Sequence, residues 1–157
     1  MTEAVPSPRV DGAGGPVKTG PRRHLYQAQV RWSDPDQLGH INHARYLSYF
    51  EDARMDLLGA SPSRMASVTQ DYRGYIAARV AVDYLYPVQY RAGLALRVET
   101  WVGRVGHSSW TLPAEMYDGE LLVARCEAVL VASSYESRAK RPLDPDERAF
   151  WHARLAG

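Results

Sequence analysis

Cysteine is almost absent from this chain: Cys126 is the single one among 157 residues. One thiol cannot build an internal disulfide framework, so the expected setting is a reducing compartment, the cytoplasm. Inside the apolar run 121–132, Cys126 reads as a small buried hydrophobe. Long apolar runs are also missing. None approaches the roughly 20 residues that span a bilayer. No apolar segment near the N-terminus marks a secretory signal, so no membrane association is expected. Excess charge of one sign is missing too, because 19 basic against 18 acidic residues leave a net charge of +1. Duplex-binding proteins usually carry a clear basic surplus, so no nucleic acid partner is expected. The five histidines, His24, His40, His43, His107 and His152, are scattered without an acidic ligand pattern. No metal site is expected from them.

What is present suits one ordinary domain. At 45% hydrophobic and 24% charged, the chain can bury one core without staples. Residues 1–22 hold Pro6, Pro8, Pro16, Pro21, Gly12, Gly14, Gly15 and Gly20 without apolar periodicity. They read as a disordered tail, which leaves 23–157 as the domain.

His24 to Ser33 alternates loosely and reads as a strand. The loop from Asp34 to Ile41 carries Pro35 and Gly39. Asn42 suits an N-cap, with His43 as the first helical residue. The helix is predicted to reach about Leu58 and to stop at Gly59 as a C′ glycine, with Pro62 beyond. Ala44, Tyr46, Leu47, Phe50, Ala53, Leu57 and Leu58 form a stripe wide enough to bury more than one side. After a turn-rich stretch the period becomes two. Ile76, Ala78, Val80, Val82, Tyr84, Tyr86, Val88 and Tyr90 alternate with Arg79, Asp83 and Gln89, which predicts a long half-buried strand. Pro87 predicts a bulge or break in it. Strands follow over 94–105 and 109–117, where Pro113 demands an edge, a bulge or a break. Asp118-Gly119 marks a tight hairpin turn, and 121–133 is the last long strand. Ala149, Phe150 and Ala153 suggest a short docking helix over 146–155. The expected class is α+β: one domain in which an antiparallel sheet of about five strands wraps a long central helix.

The junction of loop and helix carries the chemistry. The first N–H groups of a helix have no partner within it. An Asn42 cap would satisfy the second or third, leaving the His43 N–H free to donate outward. The macrodipole adds positive character there, so a carbonyl aimed at it would gain stabilisation as an oxyanion. Asp36, turned back by Gly39, could reach the same carbonyl carbon, to attack it or to act as base for water. Turn and capping chemistry is the plainer role for Asp34-Pro35-Asp36. Asp34 is expected to order the loop and His40 to hold it by hydrogen bonds. Glu51 and Arg54, one turn apart, are expected to pair. Tyr46, Tyr49 and Phe50 are expected to pack the core.

The pattern Asp36-x-x-Gly39-His40-Ile41-Asn42-x-Ala44-x-Tyr46, followed by Phe50-Glu51-x-Ala53-Arg54, resembles the active-site region of the 4-hydroxybenzoyl-CoA thioesterase-like acyl-CoA thioesterases. The resemblance covers roughly residues 24–145. It implies the hotdog fold, hydrolysis of an acyl thioester to acid and thiol, no metal or organic cofactor, and a homodimer or homotetramer with sites at the subunit interface. It implies that Asp36 is the catalytic carboxylate, that His43 supplies the polarising N–H, and that Gly39, Asn42 and Tyr46 shape the pocket. Another hotdog class uses a helix glutamate, which makes Glu51 the fallback. The coenzyme A phosphates would need cations, and Arg104 with Ser108, or Arg138, Lys140 and Arg141 after the last strand, are the expected contacts. An acyl carrier protein is the alternative substrate carrier. A non-catalytic acyl-CoA-binding module is the competing expectation.

Overall fold

A computed structural model of the chain describes residues 23–61, 73–134 and 136–155. The tail expected over 1–22 lies outside the described residues, as does Pro62. Strand β1 (His24–Gln29) leads through a loop into helix α1 (His43–Gly59). Strands β2 (Arg73–Tyr84), β3 (Ala95–Thr100), the two-residue β4 (Arg104–Val105), β5 (Ser109–Asp118) and β6 (Leu121–Ser134) follow, then helix α2 (Pro145–His152). All pairings are antiparallel, in the order β1-β3-β5-β6-β2, with β4 beside β5. The α+β hotdog arrangement stands as expected, with six strands among the described residues in place of five.

The extra strand arises because the run 94–105 breaks at Trp101–Gly103, and Pro113 on β5 accounts for the break. In an antiparallel strand one residue sends its N–H and C=O to the same side. The Pro113 carbonyl accepts from the Trp101 N–H at 3.1 Å, so its missing N–H also faces this lapse in the ladder and not β6. Strand β5 itself runs unbroken through Pro113, so of edge, bulge and break it is a local edge, facing the lapse, that is realised. Gly103 lets the backbones close up again. A Cβ there would lie 2.7 Å from the Thr111 hydroxyl oxygen.

Helix α1 begins at an Asn42 cap whose side chain accepts from the Ala44 N–H. Its buried residues, Tyr46, Tyr49, Phe50, Ala53, Arg54, Leu57 and Leu58, recur at helical spacing along one side. The first four pack with residues of β1, β3 and the start of β6, among them Ala28, Leu96, Val98 and Val123. Leu57 and Leu58 reach a second cluster with Trp110, Leu112, Leu130 and Trp151. Each fully buried Leu or Phe contributes about 1.5–3 kcal/mol relative to exposure. Leu47 and Ala44 of the predicted stripe are exposed, so one helix face stays bare. Gly59 is the last helical residue, and Ala60 caps the end in ordinary right-handed geometry. The expected left-handed glycine stop is therefore not used.

Strand β2 departs furthest from expectation. It ends at Tyr84, and its bulge falls between Ala77 and Arg79, not near Pro87. Among the described residues it lies at the sheet edge, bonded only to β6. Ile76, Val80 and Tyr84 remain 53%, 37% and 46% exposed, so the predicted burial of that face is not met within one chain. At the C-terminal end, Asp144 and Glu147 form a capping box for α2. Glu147 and Trp151 are its buried residues, whereas Ala149 and Ala153 face outward. Trp151 stacks on Trp110 with ring centroids 4.9 Å apart.

Candidate active site at the start of the long helix

The segment from Asp34 to Asn42 is a closed loop. At its base the Asn42 N–H donates to the Asp34 carbonyl at 3.0 Å. Above this, Pro35 stands opposite Ile41, and the Asp36 N–H donates to the His40 carbonyl at 3.0 Å. At the tip the Gly39 N–H donates to the Asp36 carbonyl, also at 3.0 Å. Gly39 adopts φ +79°, a left-handed conformation that glycine enters without steric cost. His40 thus holds the loop through its carbonyl and not through its ring.

This turn aims the half-buried Asp36 carboxylate back at the helix. Its Oδ1 accepts from the Leu38 N–H at 2.8 Å, and its Oδ2 accepts from Asn42 Nδ2 at 3.1 Å. Asn42 Oδ1 accepts from the Ala44 N–H at 2.9 Å. One amide therefore joins the carboxylate to the helix cap. Ala44 is the second helical residue. The N–H of the first, His43, meets no protein acceptor among the described residues. The His43 carbonyl accepts from the Tyr84 hydroxyl at 3.1 Å, and its exposed ring meets Tyr84 edge-on.

Asp34 lies behind this front and is only 3% exposed. Its Oδ2 accepts from the Arg31 N–H at 2.7 Å and from the Tyr49 hydroxyl at 2.5 Å. Arg45 Nε stands 3.4 Å from its Oδ1. Burial first, then the bond to Asp34, holds the Tyr49 phenol well above its usual range. Tyr49 thus stays a donor.

Two cavities flank the helix start. One, of about 340 Å³, is polar and lined by Ser33, Asp34, Asp36, Asn42, Arg45 and Ser48 among others. The other, of about 280 Å³, is aromatic and lined by Ile41, His43, Tyr46, Tyr84, Tyr86 and Pro87 among others. Tyr46 belongs to both core and cavity: it is 3% exposed and meets Tyr84 edge-on at 5.4 Å. A wider hollow of about 500 Å³ lies among Arg79, Glu115, Arg125 and Glu127 on the sheet, but no helix start adjoins it.

The structure does not bring the expected phosphate cations to Asp36. The Asp36 loop ties to the start of β6: the Ile41 N–H donates to Val88, and the Leu85 N–H donates to Val123. Arg141 ties to the other end through Ala132. Nine residues of strand separate these points, roughly 30 Å. Lys140 pairs with Ser133 there, Arg138 is exposed beside it, and Arg104 and Ser108 flank the start of β5. Arg141 is moreover occupied, its two terminal nitrogens donating to buried Glu147 at 2.6 and 2.7 Å. Arg45, which sequence reasoning passed over, is the cation that lines the Asp36 cavity. Glu51 is exposed and 3.8 Å from Arg54, and it lines neither cavity. Cys126 is buried, and burial pushes its thiol up to about 11, which disfavours the thiolate a nucleophile needs. Among the described residues no cluster of three His, Cys, Asp or Glu could hold a metal. None of the described helices is long and apolar enough to cross a membrane.

Comparison with known proteins adds a family. The model of the thioesterase-like superfamily matches residues 30–150. Among solved structures, a Pseudomonas aeruginosa protein provisionally named a thioesterase is 26% identical, with 80% of this chain and 95% of that chain covered and a TM-score of 0.70. A Bacillus stearothermophilus protein, also provisionally named a thioesterase, is 22% identical, with 85% and 96% covered and a TM-score of 0.75. A 1,4-dihydroxy-2-naphthoyl-CoA thioesterase from Synechocystis shares the fold at 19% identity, with 85% and 95% covered and a TM-score of 0.69. No curated protein matches the sequence.

Proposed function

From the premise that this chain belongs to the thioesterase-like superfamily and is a thioester hydrolase, we propose that it cleaves acyl-CoA thioesters at the start of α1. The Asp36 carboxylate is the reacting base or nucleophile, and the His43 N–H is the oxyanion donor. The observation that carries this reading is the unpartnered His43 N–H beside a carboxylate that Asn42 ties to the same helix cap. The thioester carbonyl oxygen accepts from this N–H. It gains stabilisation as charge moves onto it, aided by the helix dipole. Asp36 either attacks the carbonyl carbon, giving a mixed anhydride that water then opens, or takes a proton from water as the water attacks. In both routes a C–O bond forms and the C–S bond breaks. The thiolate leaves and takes up a proton. The aromatic cavity at Tyr46, Tyr84 and Tyr86 receives the acyl group, and the polar cavity receives the thiol arm beside Arg45.

The working form is a homodimer built on β2, whose outer backbone edge is unpaired among the described residues and which exposes Ile76 and Val80. Such an edge is a template for pairing with another chain. Arg104, Ser108, Arg138 and Lys140 could serve this thioester only from a second copy.

Thiol release from short, medium, long and aromatic acyl-CoAs tests the reading, with wild type and Asp36→Asn compared and binding followed in parallel. Turnover lost in the variant with binding retained is the expected result. Full turnover in Asp36→Asn, with Glu51→Gln inactive, overturns it. Turnover only of acyl groups on a carrier protein changes the carrier and leaves the chemistry. A single turnover in ¹⁸O water tests the nucleophilic route. Unlabelled first product marks attack by Asp36 with water then opening the anhydride at the aspartyl carbon, whereas labelled product marks water at the acyl carbon, on the thioester or on the anhydride.

A further inference from the structure

Asp34 is a buried carboxylate that the proposed chemistry does not use, yet it bonds to both ends of the loop that carries Asp36 and to the helix behind it. Its carbonyl accepts from Asn42, the residue that caps α1 and holds Asp36. Its Oδ2 accepts from Arg31, the residue that leads into the loop. The same oxygen accepts from Tyr49, which rises from the helix two turns beyond the cap. Both ends of the loop and the interior of the helix therefore converge on one residue, the Asn42 end on its backbone carbonyl and the other two on its carboxylate. Buried carboxylates are costly unless so satisfied, and a fully satisfied polar network is rigid. Tyr49 packs at 5% exposure in the core beside Tyr46 and Phe50, so its hydroxyl is a fixed point from which the loop hangs.

The geometry points to Asp34 and Tyr49 as positioning residues: the Tyr49–Asp34 bond sets the distance and angle between the Asp36 carboxylate and the His43 N–H. This rests on the reading of Asp36 as the reacting carboxylate. Neither residue touches the thioester. They act through Asp36, and a small misplacement of a reacting group is expensive.

The test is a kinetic cycle of wild type, Tyr49→Phe, Asp36→Asn and the double variant, on the preferred acyl-CoA, well below the melting temperature of each. Tyr49→Phe is expected to lower kcat about 10- to 100-fold with KM unchanged. On the Asp36→Asn background it is expected to cost nothing further, because no carboxylate is left to aim. A wild-type kcat in Tyr49→Phe, a loss confined to KM, or equal losses on both backgrounds overturns the inference. Full turnover in Asp36→Asn alone removes the Asp36 reading and this inference with it, and it is recognised because Tyr49 is intact in that variant. If Tyr49→Phe fails to fold, Asp34→Asn, which keeps an acceptor oxygen for Arg31, goes through the same cycle, and the same outcomes support or overturn the inference.

Discussion

At the scale of single residues, the front of the site turns on three neighbours with different tolerances. Asp36→Asn keeps the shape of the side chain and removes its basicity. A kcat loss of about 10²- to 10⁴-fold with retained binding is expected, read by thiol release and calorimetry. Asn42→Asp separates capping from chemistry. Aspartate caps a helix as well as asparagine does, so the cap is kept, and a fall in melting temperature at neutral pH reports the lost contact with Asp36. A second carboxylate now faces Asp36 across the 3.1 Å contact, and two such groups do not ionise together easily. The repulsion should turn the Asp36 carboxylate away from the cap, and kcat/KM should fall, read by thiol release. Gly39→Ala meets no steric neighbour. Its cost is the left-handed backbone alone, about 1–2 kcal/mol, measured by denaturant titration. Asp36, Gly39, Asn42 and His43 were legible because they sit within eight positions and a cap has a fixed grammar. Tyr49 was not, because its bond to Asp34 spans 15 residues and needs the helix direction that only packing supplies.

Elements were legible where periodicity matched burial. Helix α1, the hairpin of β5 and β6 around Gly119, and the order of one helix followed by strands agree with the pattern. The run from Ile76 to Tyr90 misled because alternation reports apolar side chains and not what covers them. The charged outer face of the sheet was equally hidden. There Arg23 bonds Glu99 and Glu115, Tyr117 donates to Glu115, and the Arg23 guanidinium lies over Trp101. Burial pushes the Glu115 carboxyl up, but the bonds from Arg23 and Tyr117 outweigh it and hold the group below the usual value of 4.5. A depressed folded value means stabilisation that is present above the unfolded value and lost as pH falls through the folded one. Glu115→Gln should therefore destabilise the protein at neutral pH, and its deficit against wild type should shrink from about pH 4.5 downward. Urea unfolding at stepped pH measures both.

For the whole molecule, the start of α1 and the end of β2 meet at Tyr84. Tyr84 sits on β2, beside Tyr46 on the helix and over the His43 carbonyl, so whatever covers the edge also borders the aromatic cavity. Ile76→Lys places a charge on that edge. The wild type should sediment as a dimer or larger and the variant as a monomer, with activity falling together with assembly. A wild type that sediments as a monomer while fully active would remove the dimer from the reading. Association was implied by the resemblance alone, since nothing in one chain's sequence distinguishes a strand covered by its own fold from one covered by a copy.

The long helix begins in one apolar cluster and ends in another. The proposed reacting groups stand at its first turn, whereas the Arg141–Glu147 pair is tied to β6 nine strand residues, roughly 30 Å, from where the Asp36 loop is tied. Changes so far apart add independently. Tightening the distant end should therefore raise the melting point without touching turnover, and it should let the catalytic end absorb substitutions that would otherwise unfold the chain. Such a protein can change its substrate at one pole while its tolerance for that change is set at the other.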